Sequence, residues 1–391
     1  MKENNMPQTP YFEIKKDELD QNVRDLLRAL NQEWGKSVFS YSVKTNSLPW
    51  LLRYIKDCGA WAEVVSSDEY RLARCVGFPQ SRIVFNGPVK GKEEFLDALR
   101  NGAILNLDSE REIRWLEEER IEQPRSVGLR VNFSIEDHCP GDIGWEEDGT
   151  RFGFNYENGE LGRAIERIQD IENLCVGGLH MHVSNPKRGL NVYRELAAMA
   201  AKIVSEYGLQ TDYIDIGGSF FGGVPGKTTF KEYVSAIRQE LETTVDPMKT
   251  ALIVEPGSAI IASVVDFVTT VVDVKDTAKS RMVTVDGSRC NIDPLLLKQN
   301  YLYDIEAKGT DVYPGKQIVC GFTCMDKDRI IEPTNITELQ EGDRLVFHRV
   351  GAYTMQMNPL FISFYPAVYV RDNGQTCVRK AWTAEDFINE R

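Results

Sequence analysis

Between residues 37 and 257 the chain repeats one pattern. Short β-prone runs (SVFSYSVK, AWAEVVS, IVFNG, AILNLD, VGLRVNF, VGGLHMHVS, YIDIGG and ALIVEPG) alternate with stretches of helical spacing such as DEYRLARCVG, KEEFLDALRNG and VYRELAAMAAKIVSEYG. Strands alternating with helices predict βα units and a parallel sheet. Eight strands, starting near residues 37, 60, 83, 103, 127, 176, 213 and 251, close a (β/α)8 barrel. The gap after the fifth holds an acidic stretch, residues 135 to 148, that reads as a loop or lid over one mouth of the barrel. After about residue 265 the runs become β-branched with turns between them, as in VVDFVTTVVDVKD and RLVFHRVGAYT, which predicts an antiparallel β domain. The expected fold is α/β: a (β/α)8 barrel over residues 16–265 and a β-sandwich or barrel-like domain over residues 266–391, joined by an N-terminal strand at residues 10–15.

Alternation along the strands sorts polar from apolar faces, because successive side chains point to opposite sides. Ser40, Ser42 and Lys44 share one face and Phe39, Tyr41 and Val43 the other. His180, His182 and Ser184 oppose Leu179, Met181 and Val183; Arg130 and Asn132 oppose Val131 and Phe133; Glu255 opposes Val254. The apolar set must pack on the helices, so the polar set converges inside the barrel near the strands' C-terminal ends, where barrel active sites lie. An interior holding Lys44, Arg130, His182 and Glu255 is unfavourable unless its members pair or bind a ligand.

The loops that follow the last two barrel strands are Gly217-Gly218-Ser219-Phe220-Phe221-Gly222-Gly223 and Glu255-Pro256-Gly257-Ser258. Glycine lets backbone N–H groups turn towards an anion, and a phosphate site at this position recurs in barrels. A lysine, a phosphate cradle and a carboxylate in one barrel mouth point to pyridoxal 5'-phosphate. Lys44 would hold its aldehyde as a Schiff base, Glu255 would pair with the pyridine nitrogen, and His182 would stack on the ring.

Composition narrows the alternatives. A net charge of −13 over 391 residues argues against nucleic acid as a partner. No apolar run approaches the roughly 18 residues of a membrane span, and the N-terminus lacks the apolar core of a secretory signal, so a cytoplasmic protein is expected. None of the eight cysteines forms a CxxC pair. His180 and His182 form an HxH, but no third ligand accompanies them at zinc spacing, so no metal is expected.

Six motifs occur in order: Tyr41-Ser-Val-Lys-Thr-Asn46, His180-Met-His182, Asp215-Ile-Gly-Gly-Ser219, Glu255-Pro-Gly257, Cys320-Gly-Phe-Thr-Cys324-Met-Asp-Lys-Asp328 and Gly351-Ala-Tyr353. Together they resemble the alanine-racemase-fold pyridoxal-phosphate decarboxylases, the group that includes ornithine, arginine and diaminopimelate decarboxylases. The resemblance implies a head-to-tail homodimer whose active sites lie between one barrel and the partner's β domain. It implies Lys44, His182, Glu255 and Cys324 as catalytic residues, Cys324 entering from the other subunit to help return a proton. It places Glu63 and Arg130 near the cofactor and Gly217, Gly218 and Tyr353 at the phosphate, and it pairs Arg151 with Asp328 across the interface.

The sequence departs from the family pattern at informative places. Ser219 stands where a third glycine is usual, Ser258 where an arginine follows Glu-Pro-Gly, and Asn185 where a serine is usual. Met325 replaces the acidic residue that receives the substrate's distal amine, and an apolar side chain cannot pair with an ammonium group. Asp326 and Asp293 are the other carboxylates in reach of that role. A familiar Phe-Asn pair is replaced by FISF. The expectation is a decarboxylase of an atypical small molecule, such as a carboxylated intermediate of a siderophore, polyamine or antibiotic pathway, and not of plain ornithine or lysine. The alternatives are a racemase of the same fold and a non-catalytic homologue that regulates a partner decarboxylase.

Overall fold

The computed structural model describes residues 7–143 and 149–389, which form two compact units: residues 22–259, and residues up to 21 together with those from 260 onward. Residues 144–148, the last part of the expected lid, lie outside the described residues. Ahead of them the acidic stretch forms a short helix, Ile135–His138.

The strands in chain order begin with β1 (Tyr11–Lys15), β2 (Ser37–Ser42), β3 (Trp61–Val64), β4 (Ile83–Phe85), β5 (Ile104–Leu107) and β6 (Arg125–Asn132). There follow β7 (Phe154–Asn155), β8 (Leu174–His180), β9 (Tyr213–Asp215) and β10 (Ala251–Val254). In the 22–259 unit the sheet runs β5-β4-β3-β2-β10-β9-β8-β6, and β5 also pairs with β6, so the eight strands close into a barrel with every pairing parallel. The short β7 adds to β6 outside the ring.

Helices wrap the barrel because their sequences are amphipathic and punctuated. Ser66 caps helix Ser67–Val76 by accepting from the Glu69 N–H, and Gly77 ends it in the left-handed conformation. Helix Leu190–Tyr207 buries Val192, Leu196, Met199 and Ile203 along one stripe. Inside the ring, Val84, Tyr213, Ala251 and Ile253 pack into an apolar plug with Val38, Trp61 and Ile104. That plug fills the end of the barrel away from the strands' C-termini, so polar side chains are confined to the opposite mouth.

The second unit contains β1 and the strands β11 (Val265–Asp276), β12 (Arg281–Val285), β13 (Leu302–Glu306), β14 (Gln317–Cys320), β15 (Arg329–Ile331), β16 (Arg344–His348), β17 (Ala367–Arg371) and β18 (Gln375–Arg379). Its main path is β15-β14-β12-β11-β1-β17-β18, with β16 joining β11 to β13. Most pairs are antiparallel, as expected, but β1–β17 and β12–β14 are parallel. Parallel neighbours need a crossover between them. Between β12 and β14 the crossover is made by the chain that leaves to form β13 against β16. Among the described residues no helix is long and apolar enough to cross a membrane.

Candidate active site

Lys44 does not end its strand. After β2 the chain enters a 3-10 turn, Val43–Thr45, whose two flanking side chains are buried while Lys44 turns towards the mouth. The turn is held by the Tyr41 hydroxyl, which donates to the Asn46 carbonyl at 3.1 Å. Lys44 Nζ lies 2.8 Å from Glu63 Oε2, on β3, and the Ser42 hydroxyl donates to the same oxygen at 2.5 Å. Glu63 is 1% exposed, so its charge needs these partners.

The next strand supplies the link to Glu255. Asn86, just past β4, donates through Nδ2 to Glu63 Oε1 at 3.2 Å and to Glu255 Oε1 at 2.5 Å. Asn106 on β5 donates to Asn86 Oδ1 at 2.8 Å and accepts from the Tyr213 hydroxyl at 2.7 Å. This belt of amides ties two buried carboxylates to one another through neutral donors.

On the opposite wall, His180 and His182 hold their rings 6.1 Å apart and nearly parallel. Burial, reinforced by the Arg130 charge, pushes both imidazoles well below their ordinary pKa, so both are neutral. Arg130 is fixed by Asp108 at 3.1 Å, by the His182 carbonyl at 3.3 Å and by the Phe152 ring, 4.3 Å from its guanidinium carbon. Burial, and then the nearby Glu255, push the Asp215 carboxyl well above the usual carboxylate range. His180, Asp215 and Glu255 bring their ligand-type atoms within 4.8 Å of one another. His182, the other half of the HxH, is not in that group.

Above the carboxylates sit the two glycine loops. Gly217 has φ +72°, and a Cβ there would run into the His182 ring. The Gly218 N–H donates to His182 Nδ1 at 3.3 Å, which orients the imidazole and leaves its face open. Ser219 keeps the turn with φ +67°, a left-handed conformation that does not require the third glycine. Gly257 and Ser258 follow β10, and Ser258 is half-buried.

A cavity of about 490 Å³ opens between these groups, lined by Lys44, Glu63, Arg130, Arg151, His182 and Glu255 among others. Its size is that of a small-ligand site. The residues present fit pyridoxal phosphate: a lysine amine, a carboxylate held by an amide and a neutral imidazole line one space, and a left-handed glycine turn packs against that imidazole. The His180 nitrogens, fully enclosed, have no hydrogen-bond partner among the described residues; Glu255 Oε2, 3.5 Å from Nε2, lies out of line for one.

The remaining expected site residues, apart from Arg151, belong to the other unit. Cys324 and Asp326 are exposed, Met325 is half-buried, and Tyr353 is 45% exposed with φ +57°. Asp328 is buried and accepts from Ser288 Oγ, the Arg289 N–H, and the Thr323 N–H and hydroxyl. Asp293 is likewise occupied, by Arg289, Tyr301 and two backbone N–H groups. Burial pushes its carboxyl up, but the Tyr301 and Arg289 bonds outweigh that and hold it below its ordinary value. Arg151 lines the barrel cavity with its guanidinium carbon 4.5 Å from the Phe152 ring centre.

Asn86, Asn106 and Asp108 were not among the expected site residues. The same alternation that marks Lys44 and Glu255 marks them, in IVFN and LNLD, but an Asn or Asp next to a turn reads as a turn residue.

A family model described as pyridoxal-dependent decarboxylase, pyridoxal binding domain, matches residues 20–262. The chain is 26% identical over 401 residues to a protein of Oryza sativa subsp. japonica named probable diaminopimelate decarboxylase, chloroplastic, covering 97% of this chain and 79% of that one. It is 25% identical over 346 residues to the diaminopimelate decarboxylase of Aquifex aeolicus, covering 86% and 81%. Its fold matches the crystal structure of diaminopimelate decarboxylase from Helicobacter pylori complexed with L-lysine, with a TM-score of 0.83 at 23% identity, covering 97% and 96%. These likenesses overturn the expectation of an atypical substrate other than plain ornithine or lysine. Proteins that resemble this one along nearly all of its length are named for diaminopimelate, and one is complexed with lysine itself.

Proposed function

The chain belongs to the pyridoxal-dependent decarboxylases, carboxy-lyases that act on amino acids with pyridoxal phosphate, and on that premise we propose that its substrate is diaminopimelate and its product lysine. The observation that carries the reading is the convergence of Lys44, His182 and Glu255 on one cavity beneath a left-handed glycine turn. Pyridoxal phosphate, when bound, supplies an electron sink for the bond to the departing carboxylate.

The chain's own residues set up that chemistry. Lys44, now paired with Glu63, would hold the cofactor through Nζ. Glu255, oriented by Asn86, would accept a hydrogen bond from the protonated ring nitrogen and favour its charged form. His182, neutral and pinned at Nδ1, would offer a flat face to the ring. The N–H groups of Ser219, Gly257 and Ser258 would receive the phosphate, those of Gly217 and Gly218 being directed at Asp215 and His182.

Met325 is accommodated by the chemistry of the substrate. The distal end of diaminopimelate carries a carboxylate as well as an ammonium group, so recognition does not depend on one acidic side chain. Arg151, which lines the cavity and pairs with no carboxylate among the described residues, is suited to the distal carboxylate. Exposed Asp326 is suited to the ammonium.

The reading includes a homodimer in which Cys324 and Tyr353 of the partner subunit complete each site, the cysteine returning a proton to the α-carbon. What supports it is an exposed apolar run a few residues beyond Tyr353 in the chain, Leu360, Phe361 and Ile362.

The test is carbon dioxide release from meso-diaminopimelate with added pyridoxal phosphate, with L-lysine measured alongside. Equimolar gas and lysine are expected, both abolished in Lys44→Ala. Lysine-independent gas release, or turnover of ornithine in preference to diaminopimelate, would sink the substrate assignment.

A further inference from the structure

We propose that Arg188 supplies the cationic side chain of the cofactor-phosphate site, taking from a different loop the place left by Ser258. The inference rests on the reading that the Gly217–Ser219 and Gly257–Ser258 loops hold the phosphate. A bound phosphate carries close to two negative charges, and backbone N–H groups offer it only partial ones. The position after Glu255-Pro256-Gly257 brings no charge of its own, because it is a serine.

Arg188 brings one there. It lies on the loop after β8, the same loop that begins with His182, and its Nη2 is 3.3 Å from Ser258 Oγ. Its guanidinium carbon stands 4.9 Å from the centre of the Phe221 ring, on the loop that carries Gly217. The side chain therefore bridges the two phosphate loops from a third.

The backbone is built to put it there. Arg188 has φ +53°, a left-handed conformation unfavourable for a residue with a Cβ. Three contacts hold it in place. Its N–H donates to the Asn185 carbonyl at 3.0 Å, the Tyr233 hydroxyl donates to its carbonyl at 2.7 Å, and Asn185 clamps Gly189 with two bonds of 3.2 Å. Asn185 is itself one of the departures from the family pattern; in this chain it shapes the Arg188 turn.

The guanidinium also lacks the usual occupant. Asp and Glu outnumber Lys and Arg by 59 to 46, yet no carboxylate pairs with Arg188 among the described residues. In an acidic protein, a half-buried arginine fixed by an aromatic ring and a hydroxyl, with donors to spare, is suited to an anion.

The experiment compares pyridoxal phosphate with pyridoxal, which lacks the phosphate, by titrating the cofactor-free full chain and following fluorescence quenching. Arg188→Ala is expected to weaken pyridoxal phosphate about 10- to 100-fold, the loss of a charge-assisted contact, and to leave pyridoxal affinity unchanged. Unchanged pyridoxal binding is also the check that the variant is folded. Arg188→Lys should fall between, and adding Ser258→Arg to Arg188→Ala should restore phosphate preference. Lys227→Ala, which removes a second cation over Phe221 from an exposed position, should change neither ligand.

Equal weakening of both ligands by Arg188→Ala, or weakening of neither, overturns the assignment. Ser258→Asp separates the two levels. If a carboxylate placed in the cradle leaves pyridoxal phosphate binding intact, the loops do not hold the phosphate and the underlying reading fails as well. If it abolishes the phosphate preference while Arg188→Ala does not, only the Arg188 inference fails.

Discussion

Glu69 shows how far the electrostatics of the mouth extend beyond the cavity. It sits at the start of helix Ser67–Val76 and accepts from the Val65 N–H at 2.8 Å. Burial pushes its carboxyl up to about 7, against the opposing pull of the Val65 N–H and with help from Glu63. The folded value thus lies above the ordinary 4.5 of an unfolded chain. Stabilisation from the protonated form is complete below about pH 4.5 and is lost as the pH rises to about 7. Compared with Glu69→Gln, which keeps the acceptor and cannot ionise, the native protein should lose about 1–3 kcal/mol across that window. Melting temperatures of the two proteins, taken from pH 4.5 to 8, check the sign: the native curve must fall relative to the variant's. At this scale much of the site was legible. Lys44, His182 and Glu255 announce themselves because charged residues on the inward face of a barrel strand need a reason. The 3-10 turn that carries Lys44 did not, since VKT continues the strand's alternation without a break. The partners of the charges were hidden too, because Asn86 and Asp108 stand where their strands give way to loops and so read as turn residues.

At the scale of elements, the glycine turn after β9 couples the loop proposed to hold the phosphate to the histidine proposed to stack on the ring. An alanine at Gly217 would carry both a left-handed strain and a collision with His182. Gly217→Ala should therefore weaken pyridoxal phosphate by about tenfold or more, as read in a cofactor titration. Gly226→Ala is the matched control: φ is again +72°, but nothing lies within 4 Å of the added Cβ. It should share the strain and keep the affinity, and a loss of affinity there would assign the effect to strain alone. The barrel strands could be read from alternation and turn residues because each is a short apolar run with a helix after it. The parallel pairs β1–β17 and β12–β14 could not. Which strands become neighbours is decided by packing between distant segments, and a strand's own sequence carries no mark of its partner's direction.

At the scale of the molecule, the residues proposed for catalysis are divided between two units, Lys44, His182 and Glu255 in one and Cys324 and Tyr353 in the other. In the proposed dimer each site draws on both chains, so a subunit defective in one half can be rescued by a subunit defective in the other. Lys44→Ala and Cys324→Ala, each inactive alone, should recover about a quarter of native activity when unfolded together and refolded, since half of the dimers are mixed and each has one intact site. No recovery, with mixed dimers demonstrated by tags, would place Cys324 in the site of its own chain.

The place of β1 has a further consequence, in time. Tyr11–Lys15 lies between β11 and β17, both of which follow the whole barrel in the chain. The barrel strands are neighbours in chain order except at the seam between β2 and β10, so they can pair progressively as they leave the ribosome. β1 has no such option. Both of its hydrogen-bonding edges stay open until β11 follows the whole barrel, and one of them stays open until β17. A strand made before the barrel thus completes its pairing only after it, and its exposed edge must be tolerated while the barrel forms.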